Sequence, residues 1–201
     1  MKNIYTEEYY KTGNYINYLE KYRKYLSLAK ELREFLNKMG ILNYDTKILD
    51  YGCAVGFLLR AFKHLGYKNV IGYDISDWAL SRAKDYDVEI IYNYENRIFD
   101  IIFCLDVLEH MSDKDVNFVL QNLKTQYIIV RIPVAQNEGE DYWLEVSRKD
   151  KTHINCKTKQ EWKNVFLRNG FDHFFELNLS TIYTSPGVFS FLCIKGKNEK
   201  K

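Results

Sequence analysis

The stretch ILDYGCAVGFLL, residues 48–59, decides the fold. An apolar run, Ile48 and Leu49, leads to Asp50; Gly52 and Gly56 then bracket Ala54, and a second apolar run begins at Phe57. The first run reads as a strand and the second as a helix start, so the glycines stand at a strand-to-helix corner. Glycine lets the chain turn sharply and brings main-chain N–H groups close to a ligand, while a helix start adds partial positive charge. A polar ligand can therefore lie on the backbone at this corner.

Asp74 closes the next strand, twenty-two positions after Gly52. A carboxylate there accepts hydrogen bonds from both hydroxyls of a ribose, and the two features together imply an adenosine-type cofactor. Phe57 stands where the third glycine of a dinucleotide-binding GxGxxG would fall, which counts against a nicotinamide cofactor.

Outward from the corner, helical and strand patterns alternate. A strand KILDY, a helix over 57–65, a strand NVIGYDI, a helix over 78–84, a short strand VEIIY and a strand FDIIFCL follow in order. A helix over 113–123, capped by Ser112, then leads into the strand YIIVRI, which Pro133 ends. About twenty residues without periodicity come next, then the helix KQEWKNVFLRN, a stop at Gly170, and the strands FDHFFELNL and GVFSFLCIK. Alternation argues an α/β fold with a parallel sheet, and the last two strands, joined across Pro186 and Gly187, argue a terminal antiparallel hairpin. Upstream, apolar residues at spacings of three and four predict a long amphipathic helix from Tyr15 to Met39, stopped by Gly40. The aromatic segment YTEEYYKTGNY before it reads as an arm laid over something. Residues 1–40 are thus expected to form an arm and helix packed on a domain spanning 41–201, with one domain overall.

Composition narrows the function. With 29 basic and 27 acidic residues among 201, the net charge of +2 lacks the concentrated positive field of a nucleic-acid binder. Cys53, Cys104, Cys156 and Cys193 form no CxxC pair and lack the clustered histidines of a zinc site, so no metal centre is expected and free thiols in a cytoplasmic setting fit best. No uncharged apolar stretch reaches about 18 residues, and residues 1–30 carry no apolar leader core, so neither membrane insertion nor secretion is expected. The KGKNEKK tail reads as a solvated end. Oligomeric state has no signature.

LDYGCAVG resembles the cofactor loop of class I S-adenosylmethionine (SAM)-dependent methyltransferases, an acid followed by GxGxG, with Ala54 in place of the middle glycine. FDIIFCLDVLEHM is similar to the fourth-strand segment of many small-molecule members, and the likeness spans 47–195. The resemblance implies a Rossmann-like, seven-stranded, mostly parallel sheet with helices on both faces and a C-terminal antiparallel hairpin. It also implies SAM as cofactor. By that likeness Gly52, Cys53, Ala54 and Gly56 hold the amino-acid end, Asp50 the ammonium side and Asp74 the ribose. Tyr73 or Ile75 flanks the adenine, Asn93, Tyr94 or Glu95 meets its amine, and Leu105 closes the fourth strand on the cofactor.

Methyl transfer from a sulfonium is an in-line displacement, so a hydroxyl acceptor must be aligned and must lose a proton. Asp106, Glu109 and His110, just past the fourth strand, are candidates for that work; Glu109 and His110 also suit orienting the following loop. His153 lies in a segment that looks like one in sugar and other small-molecule methyltransferases where a histidine faces the active site. His64 and His173 read as structural. Tyr5, Tyr9, Tyr10 and Tyr15 of the arm are candidates for covering the cofactor, and Trp143 for stacking on an acceptor.

The leading expectation is methylation of a small polar acceptor, a hydroxyl of a sugar, nucleotide sugar or glycan precursor. A nucleic-acid methyltransferase is disfavoured by the charge and by the lack of an NPPY or DPPY motif after the fourth strand. A cofactor-binding module that has lost catalysis has Ala54 as its single support.

Overall fold

The structure is a computed structural model that describes residues 4–12, 17–178, 180–181 and 186–196. Its fold is Rossmann-like: seven strands make one mostly parallel sheet, with helices and a C-terminal antiparallel hairpin. By internal contacts the chain divides into two compact units, residues 1–94 with 179–183, and residues 95–178 with 184–201.

In the first unit a helix α1, Tyr22–Lys38, precedes the strand β1, Ile48–Tyr51. Burial of Leu28, Ala29, Leu32 and Leu36 on one face of α1 follows the spacing of three and four in the sequence. The helix begins later than its periodicity suggests. Asn17 takes a left-handed conformation (φ 59°) and Tyr18–Glu20 form a separate 3₁₀ turn, while Tyr15 lies outside the described residues. Gly40, at φ +69°, ends α1 as expected: its N–H donates to the Asn37 carbonyl and that of Ile41 to the Leu36 carbonyl, the paired bonds of a Schellman cap.

The corner sends β1 into α2, Phe57–His64, and the chain returns as β2, Val70–Tyr73. α3, Asp77–Ala83, is capped by the Ser76 hydroxyl, which accepts from the Ala79 N–H; β3 is short, Glu89–Ile90. The order within this unit is β3-β2-β1, with both pairs parallel. All four residues of β1 are buried, as parallel strands covered on both faces require.

The second unit opens with β4, Ile101–Leu105, then α4, Asp113–Asn122, and β5, Tyr127–Pro133. As the sequence predicts, the Ser112 hydroxyl caps α4, accepting from the Asp115 N–H. Pro133 occupies the last position of β5 and pairs with Val188. The segment expected to be irregular holds a short helix, α5, Glu145–Lys149, and bridges from Ala135 to Tyr142 and Thr158. Strict periodicity cannot reveal an element of five residues. α6, Lys159–Arg168, starts on a full capping box between Thr158 and Glu161. Then come β6, Phe171–Glu176, and β7, Val188–Lys195.

The hairpin forms, but its order carries information the sequence does not: β7 lies between β5 and β6, antiparallel to both. Trp162, Phe166, Phe171 and Phe189, each fully buried, fill the core of this unit. No helix among the described residues is long and apolar enough to cross a membrane. Residues 197–201 of the basic tail lie outside the described residues.

Candidate functional site

In the first unit the corner is built by left-handed backbone at Gly52 (φ 81°), Ala54 (φ 48°) and Gly56 (φ 78°). Alternation of this conformation is why glycine suits these positions, and Ala54 adopts it at a steric cost of about 1–2 kcal/mol. Close approach is a second constraint. A Cβ on Gly72 of β2 would sit 2.5 Å from Leu59 Cδ1 and 2.9 Å from Cys53 Sγ, so only glycine lets the loop and α2 lie against β2.

The loop amides are committed to the chain. Gly52 and Cys53 donate to the Tyr73 carbonyl, and Gly56 to that of Cys53. Ala54 donates to Asp74 Oδ2 at 2.8 Å, and Ser76 donates to Asp74 Oδ1 at 2.8 Å. This departs from an open row of N–H groups: the loop is a rigid cradle, and its polarity toward a ligand rests on carboxylates. An ionised carboxylate has about four acceptor sites, so Asp74 retains acceptor capacity beside its main-chain partners.

Asp50 is the second carboxylate of the cradle. It is 5% exposed, and burial, followed by repulsion from Asp74, pushes its pKa up to about 8. No hydrogen-bond or ion-pair partner for it is found among the described residues. Burial also raises Asp74, against the amides of Ser76 and Ala54, and raises the Cys53 thiol. With a pKa of about 8 Asp50 holds its proton near neutral pH, and a cation placed beside it would favour the ionised form.

The aromatic arm meets this corner as the sequence suggests. Tyr10 and Tyr18 are buried in one cluster with Val55, Phe57 and Ala79; Tyr5, Tyr9 and Ala54 pack against it. Tyr10 stacks on Trp78 at 5.3 Å between ring centres, and the Ser76 hydroxyl donates to the Tyr5 carbonyl. Farther along the strand ends, Tyr73 packs with Tyr51 and Tyr94 in a three-ring group at 4.9–5.1 Å. Ile75 is 59% exposed and Asn93 is exposed, so the rim expected to flank adenine is open, with Tyr73 rather than Ile75 in the packed layer.

The second unit gathers the other candidates. Leu105 ends β4 half-buried, and Asp106 follows in left-handed conformation (φ 56°). Asp106 receives both the Arg131 Nε–H, at 2.8 Å, and the Arg131 Nη2–H. Both carboxylate oxygens of Asp106, a candidate for the acceptor proton, are thus engaged by the Arg131 guanidinium, a paired geometry that fixes the side chain. The signal for this pair was an arginine inside the apolar strand YIIVRIP.

Glu109, His110 and His153 come together. Glu109 is fully buried, and neither carboxylate oxygen has a hydrogen-bond partner among the described residues. Its carbonyl accepts from the Ile154 and Asn155 N–H groups, stapling the 153–155 segment onto the turn after β4. The imidazoles of His110 and His153 lie 4.7 Å apart, centre to centre, and His153 Nε2 is 4.0 Å from Glu109 Oε1 and 3.8 Å from Asp150 Oδ2. Thr152 links this group, with its hydroxyl on Asp150 Oδ1 at 2.6 Å and 2.9 Å from His110 Nδ1. Burial pushes Glu109 well above the carboxylate range, and burial and then His153 lower His110 to about 4. Burial lowers His153 as well, against Asp150. Near neutral pH both imidazoles are therefore uncharged. Asp150 and Thr152 are the members that sequence reasoning missed; neither stands in a recognisable motif. Trp143, 41% exposed, has its ring partly in solvent.

A model of the methyltransferase domain family matches residues 18–173. The ribosomal protein L11 methyltransferase of Fusobacterium nucleatum is 26% identical over 164 residues, 71% of this chain; the chain spans 47% of that relative's length. Magnesium protoporphyrin IX methyltransferase from Synechocystis PCC 6803, crystallised with bound SAH, aligns with a TM-score of 0.63 at 17% identity, covering 94% of this chain and 92% of its own. A SAM-dependent methyltransferase from Archaeoglobus fulgidus aligns with a TM-score of 0.64 at 18% identity, covering 90% and 100%.

Proposed function

We propose a reaction for this chain from the premise that it belongs to the methyltransferase domain family: transfer of a methyl group from SAM to a small polar acceptor. The observation that carries the proposal is Asp50, a buried carboxylate in the glycine corner with a raised pKa and no cation partner among the described residues. An ammonium group placed there removes the burial penalty of the acid, and SAM presents an ammonium at its amino-acid end. Asp74, at the end of the neighbouring strand, offers two acceptor oxygens to a ribose. SAM supplies an electrophilic methyl group on its sulfonium. The first unit binds and orients: the cradle fixes the amino-acid end, and the arm of Tyr5 and Tyr10 keeps water from it.

Acceptor handling belongs to the second unit. His110 and His153 are neutral at physiological pH, as groups that meet an acceptor proton must be, and Asp150 and Thr152 hold them in place. The acceptor is a hydroxyl of a sugar, nucleotide sugar or glycan precursor. The near-balance of 29 basic and 27 acidic residues supports a small acceptor over a polyanion.

Isothermal titration with SAM and with its demethylated product tests the cofactor. No heat from either at millimolar concentration removes the proposal. Release of the demethylated product in the presence of sugar nucleotides, above an Asp74→Ala control, tests the acceptor; methyl incorporation only into bulk tRNA, DNA or protein replaces it.

A further inference from the structure

We propose that Glu109, His110 and His153 form a binding site for one divalent first-row transition ion, of which Zn²⁺ is the best fit. One ligand atom from each residue lies within 4.8 Å of the others. The 4.0 Å gap between His153 Nε2 and Glu109 Oε1 is too long for a hydrogen bond. Two ligands on one tetrahedral Zn²⁺, with bonds of about 2.0–2.2 Å, stand roughly 3.4 Å apart, so the gap has room for an ion once it narrows. Closure onto an ion takes movement of roughly an ångström at side-chain ends, within the reach of rotamer adjustment.

The second, independent observation is Glu109 itself. Its side chain is 0% exposed and both oxygens lack a hydrogen-bond partner among the described residues. An unsatisfied buried polar group costs about 1–3 kcal/mol, and an isolated charge more. A cation between Glu109 and the two imidazoles satisfies both oxygens' need for a positive neighbour.

The surroundings fit ligand duty. Metal-bound histidines commonly hold their other ring nitrogen on a carbonyl or carboxylate, which fixes tautomer and orientation. His110 Nδ1 lies 3.2 Å from the Thr152 carbonyl and 2.9 Å from its hydroxyl, which fixes the ring's orientation. The main-chain bonds from Ile154 and Asn155 to Glu109 carry His153 to the site before any ion arrives. Two imidazoles and one carboxylate suit zinc and its neighbours rather than magnesium or calcium, and three protein ligands leave an open position for an oxygen ligand. With an ion in place the histidines would act as ligands, and the metal would lower the pKa of an acceptor hydroxyl at its open position so that the proton leaves to solvent water.

This refines the role of the cluster, but the binding itself is measured without SAM or acceptor, so its failure leaves the methyl-transfer reading standing. The protein, purified without a histidine tag and stripped with chelator, is titrated with Zn²⁺ by calorimetry and with Co²⁺ by visible absorption. The expected result is one equivalent bound, a visible Co²⁺ band, and affinity at least about tenfold lower in Glu109→Gln and in His153→Gln. A Cys156→Ser control, expected to bind as the parent does, separates this site from the half-exposed thiol. Circular dichroism checks that each variant folds; if Glu109→Gln does not, His153→Gln alone decides. No stoichiometric binding, or binding equal in the parent and the folded ligand variants, overturns the proposal.

Discussion

The Ala54 N–H donates a 2.8 Å hydrogen bond to Oδ2 of Asp74, tying the glycine corner to the end of the adjacent strand. One side chain thus fastens the loop, and under the proposed function it also presents the ribose acceptor. Asp74→Ala therefore has two effects. SAM affinity falls by about tenfold or more, since hydrogen bonds to a charged group are each worth about 1.5–3 kcal/mol. Stability falls as well, by about 1–3 kcal/mol, because the Ala54 and Ser76 amides lose their acceptor. Calorimetry and chemical denaturation read the two separately. Unchanged affinity shows that the ribose acid is another residue.

Ala54, the departure from the glycine pattern, carries left-handed backbone at φ 48°. Relief of that strain, about 1–2 kcal/mol, outweighs the extra unfolded-state freedom of glycine, about 0.4–1 kcal/mol. Ala54→Gly is expected to raise stability by a few tenths to about 1 kcal/mol, or about 1–3 °C in Tm. A fall in Tm means that the Ala54 methyl, which packs against the Tyr10 cluster, matters more than the strain.

The pKa of Asp50 is raised from 3.8 in the unfolded chain to about 8 in the fold. Between those values the folded state holds a proton that the unfolded state has released, so stability falls as pH rises through this window. Asp50→Asn removes the penalty. Its Tm should match the parent near pH 4 and exceed it near pH 8, while its SAM affinity is lost. Parallel Tm curves over that range contradict the assignment of a buried, unpaired acid.

Tyr10 is buried against Trp78 and Tyr18, and truncating a buried aromatic in a core costs about 3–5 kcal/mol. The arm lies outside the sheet, however, and a local opening costs no more than the arm's own docking energy. Tyr10→Ala should therefore lower Tm little and yet expose the first dozen residues to protease. Rapid cleavage there with SAM binding weakened supports the covering role. Protection equal to the parent's shows that the arm is held elsewhere.

The corner, the βα alternation and the terminal hairpin were legible because each rests on local rules: glycine at left-handed positions, caps at Ser112 and Gly40, and periodicity in α1. Position of β7 between β5 and β6 was not, since strand order is set by long-range pairing that no local pattern encodes. Asp50 and Asp74 could be found because they flank a motif. The Glu109, His110 and His153 cluster could be named residue by residue, but its closeness depends on two main-chain bonds between segments over forty positions apart. The same holds for the guanidinium that neutralises Asp106: a strand arginine can be seen in sequence, its partner cannot.

That last pair gives a test of roles. Arg131 has a side chain only 12% exposed and Asp106 one 34% exposed, so the pair is partly screened. Breaking a fully buried pair costs about 3–5 kcal/mol by stranding one charge, and partial exposure reduces this to about 1–3 kcal/mol. Arg131→Met strands Asp106, and Asp106→Asn leaves the guanidinium with a neutral acceptor. If the two act through each other, the double variant is more stable than the sum of the single losses predicts, with a coupling of about 1–3 kcal/mol in a double-mutant cycle. A positioning role for Asp106 further requires that Asp106→Asn lower kcat without shifting its pH profile. Loss of the acidic limb in that variant assigns the proton to Asp106 instead.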